Sequence, residues 1–172
     1  MNTKILISFA TGLLTIGMIS ISNATPFIDQ ETTTSLSGNT ASILPFEWAV
    51  QSFQTTAGNI VGAELLVVDN ETFTWDLTIN LMDGLEGNIL ATGTTITEGN
   101  GGYDWAHIDF SSGVALSENT TYFLSFVSNN PNVRAFVSPD TGNDYGYTGG
   151  QAFVGGTPFN SIDYDFRTIA DD

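Results

Sequence analysis

Cysteine is absent from the 172 residues, and cations nearly so: Lys4, Arg134 and Arg167 stand with a single histidine, His107, against nineteen acidic residues, for a formal net charge of −16. Each absence excludes a chemistry. Without cysteine there is no disulfide framework, no thiol nucleophile and no acceptor for an N-terminal lipid. One histidine cannot supply a multi-histidine zinc site, and a Ser-His-Asp arrangement would have to use His107. Phosphate backbones and anionic lipid surfaces are held by clusters of Lys and Arg, so nucleic acid and membrane surfaces are excluded as partners. No G-x-S-x-G elbow, G-x-x-x-x-G-K loop or G-x-G-x-x-G fingerprint occurs. The E-x-D-x-x-E strand signature of many jelly-roll glycanases is missing as well.

What is present begins with a leader. Met1 to Lys4, a mostly apolar run from Ile5 to Ile21 and Ser22-Asn23-Ala24 make a charged start, an apolar middle and a small-x-small cleavage site. Residues 1–24 are therefore expected to be a signal peptide, and the protein is expected to be secreted. Cleavage would also remove Lys4, the one lysine, and with it any Schiff-base chemistry. The remainder is one domain by length, and at about 150 residues it buries some two thirds of its unfolded surface, enough for a core without disulfides. The apolar run is short for a bilayer span and the last residues, Ile169-Ala170-Asp171-Asp172, offer no second one. A soluble, released protein with no membrane insertion is expected.

The hydrophobic period is two almost throughout. Trp75, Leu77, Ile79 and Leu81 alternate with Asp76, Thr78, Asn80 and Met82, the pattern of a strand with one face on a core. Similar reasoning predicts strands at about Trp48–Gln54, Ile60–Val68, Ile89–Thr97, Tyr103–Ser111, Thr121–Ser128, Val133–Val137, Gln151–Val154 and Tyr164–Thr168. Glu98-Gly99-Asn100-Gly101-Gly102 reads as the tightest hairpin, since Asn-Gly accepts a primed turn. The expected fold is all-β: an antiparallel, jelly-roll-like sandwich of about nine strands over residues 47–172. Residues 25–46, rich in Thr, Ser, Asn and Gly, are expected to form an arm or first edge strand around Pro26–Gln30, tied to its own domain.

Three sets of residues could carry chemistry. Exposed aromatics beside Asp, Asn and Gln suit a pyranose, whose apolar face lies on the ring while its hydroxyls meet the polar groups. Tyr145 and Tyr147, among glycines that leave ring faces accessible, lead this set, with Tyr103 and Trp105; Trp75 belongs to an inward-facing row. Calcium needs several oxygen ligands from loops rich in Asp and Asn. Asp140, Asn143 and Asp144 are the candidate ligands, with Asp69-Asn70-Glu71 and Asp163-Tyr164-Asp165 as second choices. His107 alternates outward with Trp105 and Asp109 and is expected to be a solvated or hydrogen-bonded strand residue. Arg167, two residues from Asp165, is expected to pair with a carboxylate and to be structural.

The order Phe27-Ile28-Asp29-Gln30, VQSFQTTAGNIVGAELLV, LTINLMDGLEGNILATGT, LSENTTYFLSFV, YTGGQAFVGG and DYDFRT resembles a domain of exported bacterial surface proteins of the PEP-CTERM and choice-of-anchor type. The resemblance implies a β-sandwich at the cell surface or in extracellular matrix and transfers no catalytic residue. The chain departs from anchored members by lacking their C-terminal sorting tail. The functional expectation is a non-catalytic module that binds or adheres at an extracellular surface, directed to a glycan and aided by calcium. The alternative is a structural subunit of a matrix or filament, a homo-oligomer assembling through residues 25–46. A third reading is a small glycan hydrolase using two carboxylates from distant strands.

Overall fold

The computed structural model describes residues 25–32, 40–43, 48–69, 74–98, 101–130, 132–139, 147–159 and 162–171. The leader expected at 1–24 and much of the arm lie outside the described residues. No described helix is long and apolar enough to cross a membrane.

The described residues are all-β. The strands are β1 (Phe27–Glu31), β2 (Thr40–Ser42), β3 (Ala49–Gln54), β4 (Asn59–Asp69), β5 (Thr74–Met82), β6 (Ile89–Glu98), β7 (Tyr103–Ala115), β8 (Thr121–Val127), β9 (Val133–Pro139), β10 (Ala152–Val154), β11 (Thr157–Pro158), β12 (Ile162–Tyr164) and β13 (Phe166–Ala170). They form two sheets, paired antiparallel throughout. One has seven strands, in the order β1-β13-β4-β9-β12 with β7 on β4 and β2 on β9; the other has six, in the order β11-β10-β3-β8-β5-β6.

Alternation decides what each sheet buries. Trp75, Leu77, Ile79 and Leu81 of β5, Leu124 and Phe126 of β8, and Ile60, Ala63, Leu65 and Val67 of β4 belong to one core shared by both sheets. Phe53, Phe126, Tyr164 and Phe166 are its fully buried rings, with Phe126 edge-on to Tyr164 at 5.4 Å. Each such ring contributes roughly 1.5–3 kcal/mol by leaving water.

The nine predicted strand segments all fall on strands, but there are more strands than nine, because β1, β2 and β11 are additional and the last segment divides at Asp165. Asp165 is fully buried; its amide donates to the Phe136 carbonyl and its carbonyl accepts from the Leu66 amide. It therefore sits where β4 and β9 splay apart, with β12 running along β9 and β13 along β4. The expected hairpin at residues 98–102 is corrected. There β6 pairs with β5 and β7 pairs with β4, so the chain crosses between the sheets instead of turning back within one. The two-residue hairpin is Gly155-Gly156, whose φ values of 57° and 77° are those of a primed turn between Val154 and Thr157.

β1 lies at the edge of the seven-stranded sheet, paired with β13 of its own chain. Asp29 fastens it: its carboxylate accepts from the Thr55 hydroxyl at 2.9 Å, and from the Thr56 amide at 3.0 Å and hydroxyl at 2.7 Å.

Candidate functional site

Alternation that fills the core also dresses two outer faces, and they differ. On the six-stranded sheet the outward positions of neighbouring strands are Asn80 and Met82 of β5 and Ser125 and Val127 of β8. Asn80 donates from Nδ2 to the Ser125 hydroxyl at 3.0 Å and accepts at Oδ1 from the Thr92 hydroxyl at 2.8 Å, so its amide orientation is fixed. Beside them opens a cleft of about 420 Å³, closed by Glu86 and Gly87 of the β5–β6 turn, Ile89 and Trp48. That turn is held by Asp83, which accepts from the Asn88 amide at 2.6 Å and side chain at 2.9 Å. These bonds lower the Asp83 pKa below its ordinary value.

Trp48 is the unusual member. It is half-buried and has a φ of 33°, in the left-handed region that non-glycine residues rarely occupy. Its carbonyl accepts from the Gly155 amide at 3.2 Å, and its ring borders Gly156. The hairpin turn thus holds an indole against the cleft in a conformation the backbone would not choose alone, a combination found at ligand sites. The sequence reading missed Trp48 as a site residue, having used it only to open a strand. The visible signal was a Trp before β3 and a Gly-Gly pair far along the chain.

The outer face of the seven-stranded sheet carries charge in a row. Glu31, Arg167, Glu64 and His107 are successive cross-strand partners on β1, β13, β4 and β7. Arg167 donates from Nε to Glu31 at 3.3 Å and from Nη1 to Glu64 at 3.2 Å, and its guanidinium lies 3.9 Å over the Trp105 ring. His107 meets Glu64 through Nδ1 at 3.1 Å and Asp109 through Nε2 at 3.0 Å. Partial burial pulls its pKa down, but the hydrogen bonds and charges of Asp109 and Glu64 outweigh this and raise it above 6.5. Arg167 is thus paired, though with Glu31 and Glu64; the nearby Asp165 is buried at the fork. Trp105 is half-buried under the guanidinium, whereas Tyr103 is 60% exposed and stands edge-on to Phe136 at 5.2 Å.

Tyr147 is not a free platform. Its hydroxyl donates to Gln30 Oε1 at 2.8 Å and accepts from the Gln54 amide at 3.2 Å, and its ring meets Phe166 edge-on at 5.3 Å. Burial pushes its pKa above 10. The glycines beside it serve close packing rather than access: a Cβ on Gly150 would fall 1.8 Å from the Ser52 carbonyl oxygen. Tyr147 is a strut joining β1, β3 and the core.

Tyr145, Asp140, Asn143 and Asp144 lie outside the described residues, as do Asn70 and Glu71. Of the second-choice calcium ligands, Asp163 is engaged internally, accepting from Gln51 Nε2 and from the Tyr147 amide, both at 2.9 Å. Gln51 in turn accepts from the Tyr164 amide at 2.9 Å. Gln51 is fully buried, so this network is a polar joint between the two sheets. Among the described residues no three acidic or histidine side chains converge as a metal site.

Fold and faces define an all-β protein with two chemically distinct outer surfaces. The sequence matches no protein-family model, and no curated protein is significantly similar to it.

Proposed function

We propose that the protein is a secreted, non-catalytic jelly-roll module that binds an extracellular glycan in the Trp48 cleft. The observation that supports this reading is the composition of the cleft. It pairs an indole held in a strained conformation with Asn80 in a fixed orientation, the carboxylate of Glu86 and the apolar sides of Met82, Ile89 and Val127. A pyranose needs such a mixture: a ring or aliphatic surface for its C–H face and a few placed acceptors and donors for its hydroxyls. Its size falls in the range of small-ligand sites. Among the described residues no cation lines the cleft, so a neutral chain suits it better than a phosphorylated or sulfated one. Calcium in this reading acts through Asp140, Asn143 and Asp144.

The alternative, assembly through residues 25–46, is less well supported, because β1 is seated in its own sheet by Asp29, Gln30 and Glu31. A glycan array on the mature protein, with and without calcium, selects the ligand; affinity electrophoresis then compares parent and Trp48→Ala. The variant is expected to lose affinity by about 2 kcal/mol, the scale of an aromatic hot spot, with its melting temperature nearly unchanged. Equal binding by the two proteins would remove the cleft from the account.

A further inference from the structure

The outer face of the seven-stranded sheet holds both arginines, Arg134 on β9 and Arg167 on β13, and they are used differently. Arg167 has two carboxylates and a tryptophan as neighbours. Arg134 is exposed and forms no ion pair among the described residues. In a chain with nineteen acidic residues, a guanidinium with no carboxylate partner among the described residues is the exception. Had the role been structural, a cross-strand acid like those around Arg167 would serve it.

The position of Arg134 supplies the second half. Arg134 and Tyr103 are partners of Val68 on its two sides, so their backbones stand two strand spacings apart, about 10 Å. Both project to the outer face, where Phe136, two residues from Arg134, holds the Tyr103 ring edge-on at 5.2 Å. Tyr103 nevertheless remains 60% exposed. An exposed ring and an exposed guanidinium with no ion pair among the described residues, at this separation, match a sugar that carries its own carboxylate: the C–H face lies on the ring and the carboxylate takes the planar fork of the arginine in two parallel hydrogen bonds.

We infer that Tyr103 and Arg134 form a second carbohydrate site, on the face opposite the Trp48 cleft, that takes a uronic-acid residue of an acidic polysaccharide. This site does not depend on the cleft, and the protein so built can hold two different chains on opposite faces.

The test is retention of the parent on immobilised polygalacturonate, with sulfated and unmodified dextran as comparison columns. EDTA excludes bridging metal, and about 0.15 M sodium chloride confines the repulsion of distant carboxylates to roughly 8 Å. The parent is expected to be retained on polygalacturonate alone. Arg134→Gln and Tyr103→Ala are each expected to weaken retention about tenfold or more, the loss of a charge-assisted hydrogen bond or a stacking contact. Arg134→Lys should recover part of it, and Trp48→Ala should bind as the parent does. Failure of the parent to bind, retention on sulfated dextran alone, or an Arg134→Gln variant indistinguishable from the parent would each overturn the assignment. Melting curves accompany every variant; should Arg134→Gln fail to fold, Tyr103→Ala, altering a ring mostly in solvent, decides the matter.

Discussion

The two outer faces rest on one core and follow one period of alternation, yet among the described residues only one of them carries a row of paired opposite charges. Facing outward on the six-stranded sheet, Asn80 is bonded side chain to side chain with Ser125 and Thr92, beside a cleft lined by Met82 and, among the described residues, by one carboxylate, Glu86. On the seven-stranded sheet the outward residues are Glu31, Arg167, Glu64 and His107, bonded in a row, with Asp109 beyond. The difference teaches where a strongly acidic chain places its few cations. Arg167 and His107 neutralise carboxylates on adjacent strands, where like charges directly opposite would otherwise destabilise pairing. Among the described residues the cleft face has no such row to neutralise, and what it offers a ligand is hydrogen bonding, the Glu86 carboxylate and apolar surface.

The harshest way to break the comparison is to remove what the faces share. Phe166 is fully buried, in contact with Phe53 and Tyr147, and Phe166→Ala should cost about 3–5 kcal/mol. Chemical denaturation followed by tryptophan fluorescence would measure it. A loss below about 1 kcal/mol would mean that the two sheets do not depend on this core.

Much of that core was legible in the sequence, because a period of two is a local signal: Trp75, Leu77, Ile79 and Leu81 announce their own strand and its buried side. Partner choice is not local. Nothing within Glu98–Gly102 says that β7 will pair with β4 rather than β6, and the Asn-Gly cue there misled. Gln51 reads as one more strand residue until Asp163 is brought to it from 112 positions away. Tyr147 was misjudged because glycine neighbours have two meanings, an open surface or a close approach, and only the Ser52 carbonyl against Gly150 decides between them. Trp48 and Arg134 escaped notice for the same reason, since a strained φ, and an arginine with no ion pair among the described residues, exist only in three dimensions.

A smaller effect sharpens the charged face alone. The His107 pKa is raised in the folded state, so its pairs stabilise the protein fully below the unfolded value near 6.5 and lose that contribution as pH rises through the raised folded value. His107 is 46% exposed, and solvent screening limits the contribution to a fraction of a kcal/mol. Glu64→Gln should lower the His107 pKa, followed by NMR titration of the imidazole, and flatten this part of the stability profile. An unmoved titration midpoint would show that Glu64 does not hold the proton there.

Three tryptophans make the direct measurement available, because each reports on one region: Trp48 on the cleft, Trp75 in the core and Trp105 on the charged face. Their indole N–H signals in a nitrogen-15 correlation spectrum can be followed while the neutral glycan selected on the array is added. A progressive shift of the Trp48 signal, with Trp75 and Trp105 still, is the result expected of a glycan bound in the cleft. Movement of Trp105 with Trp48 unchanged would contradict it.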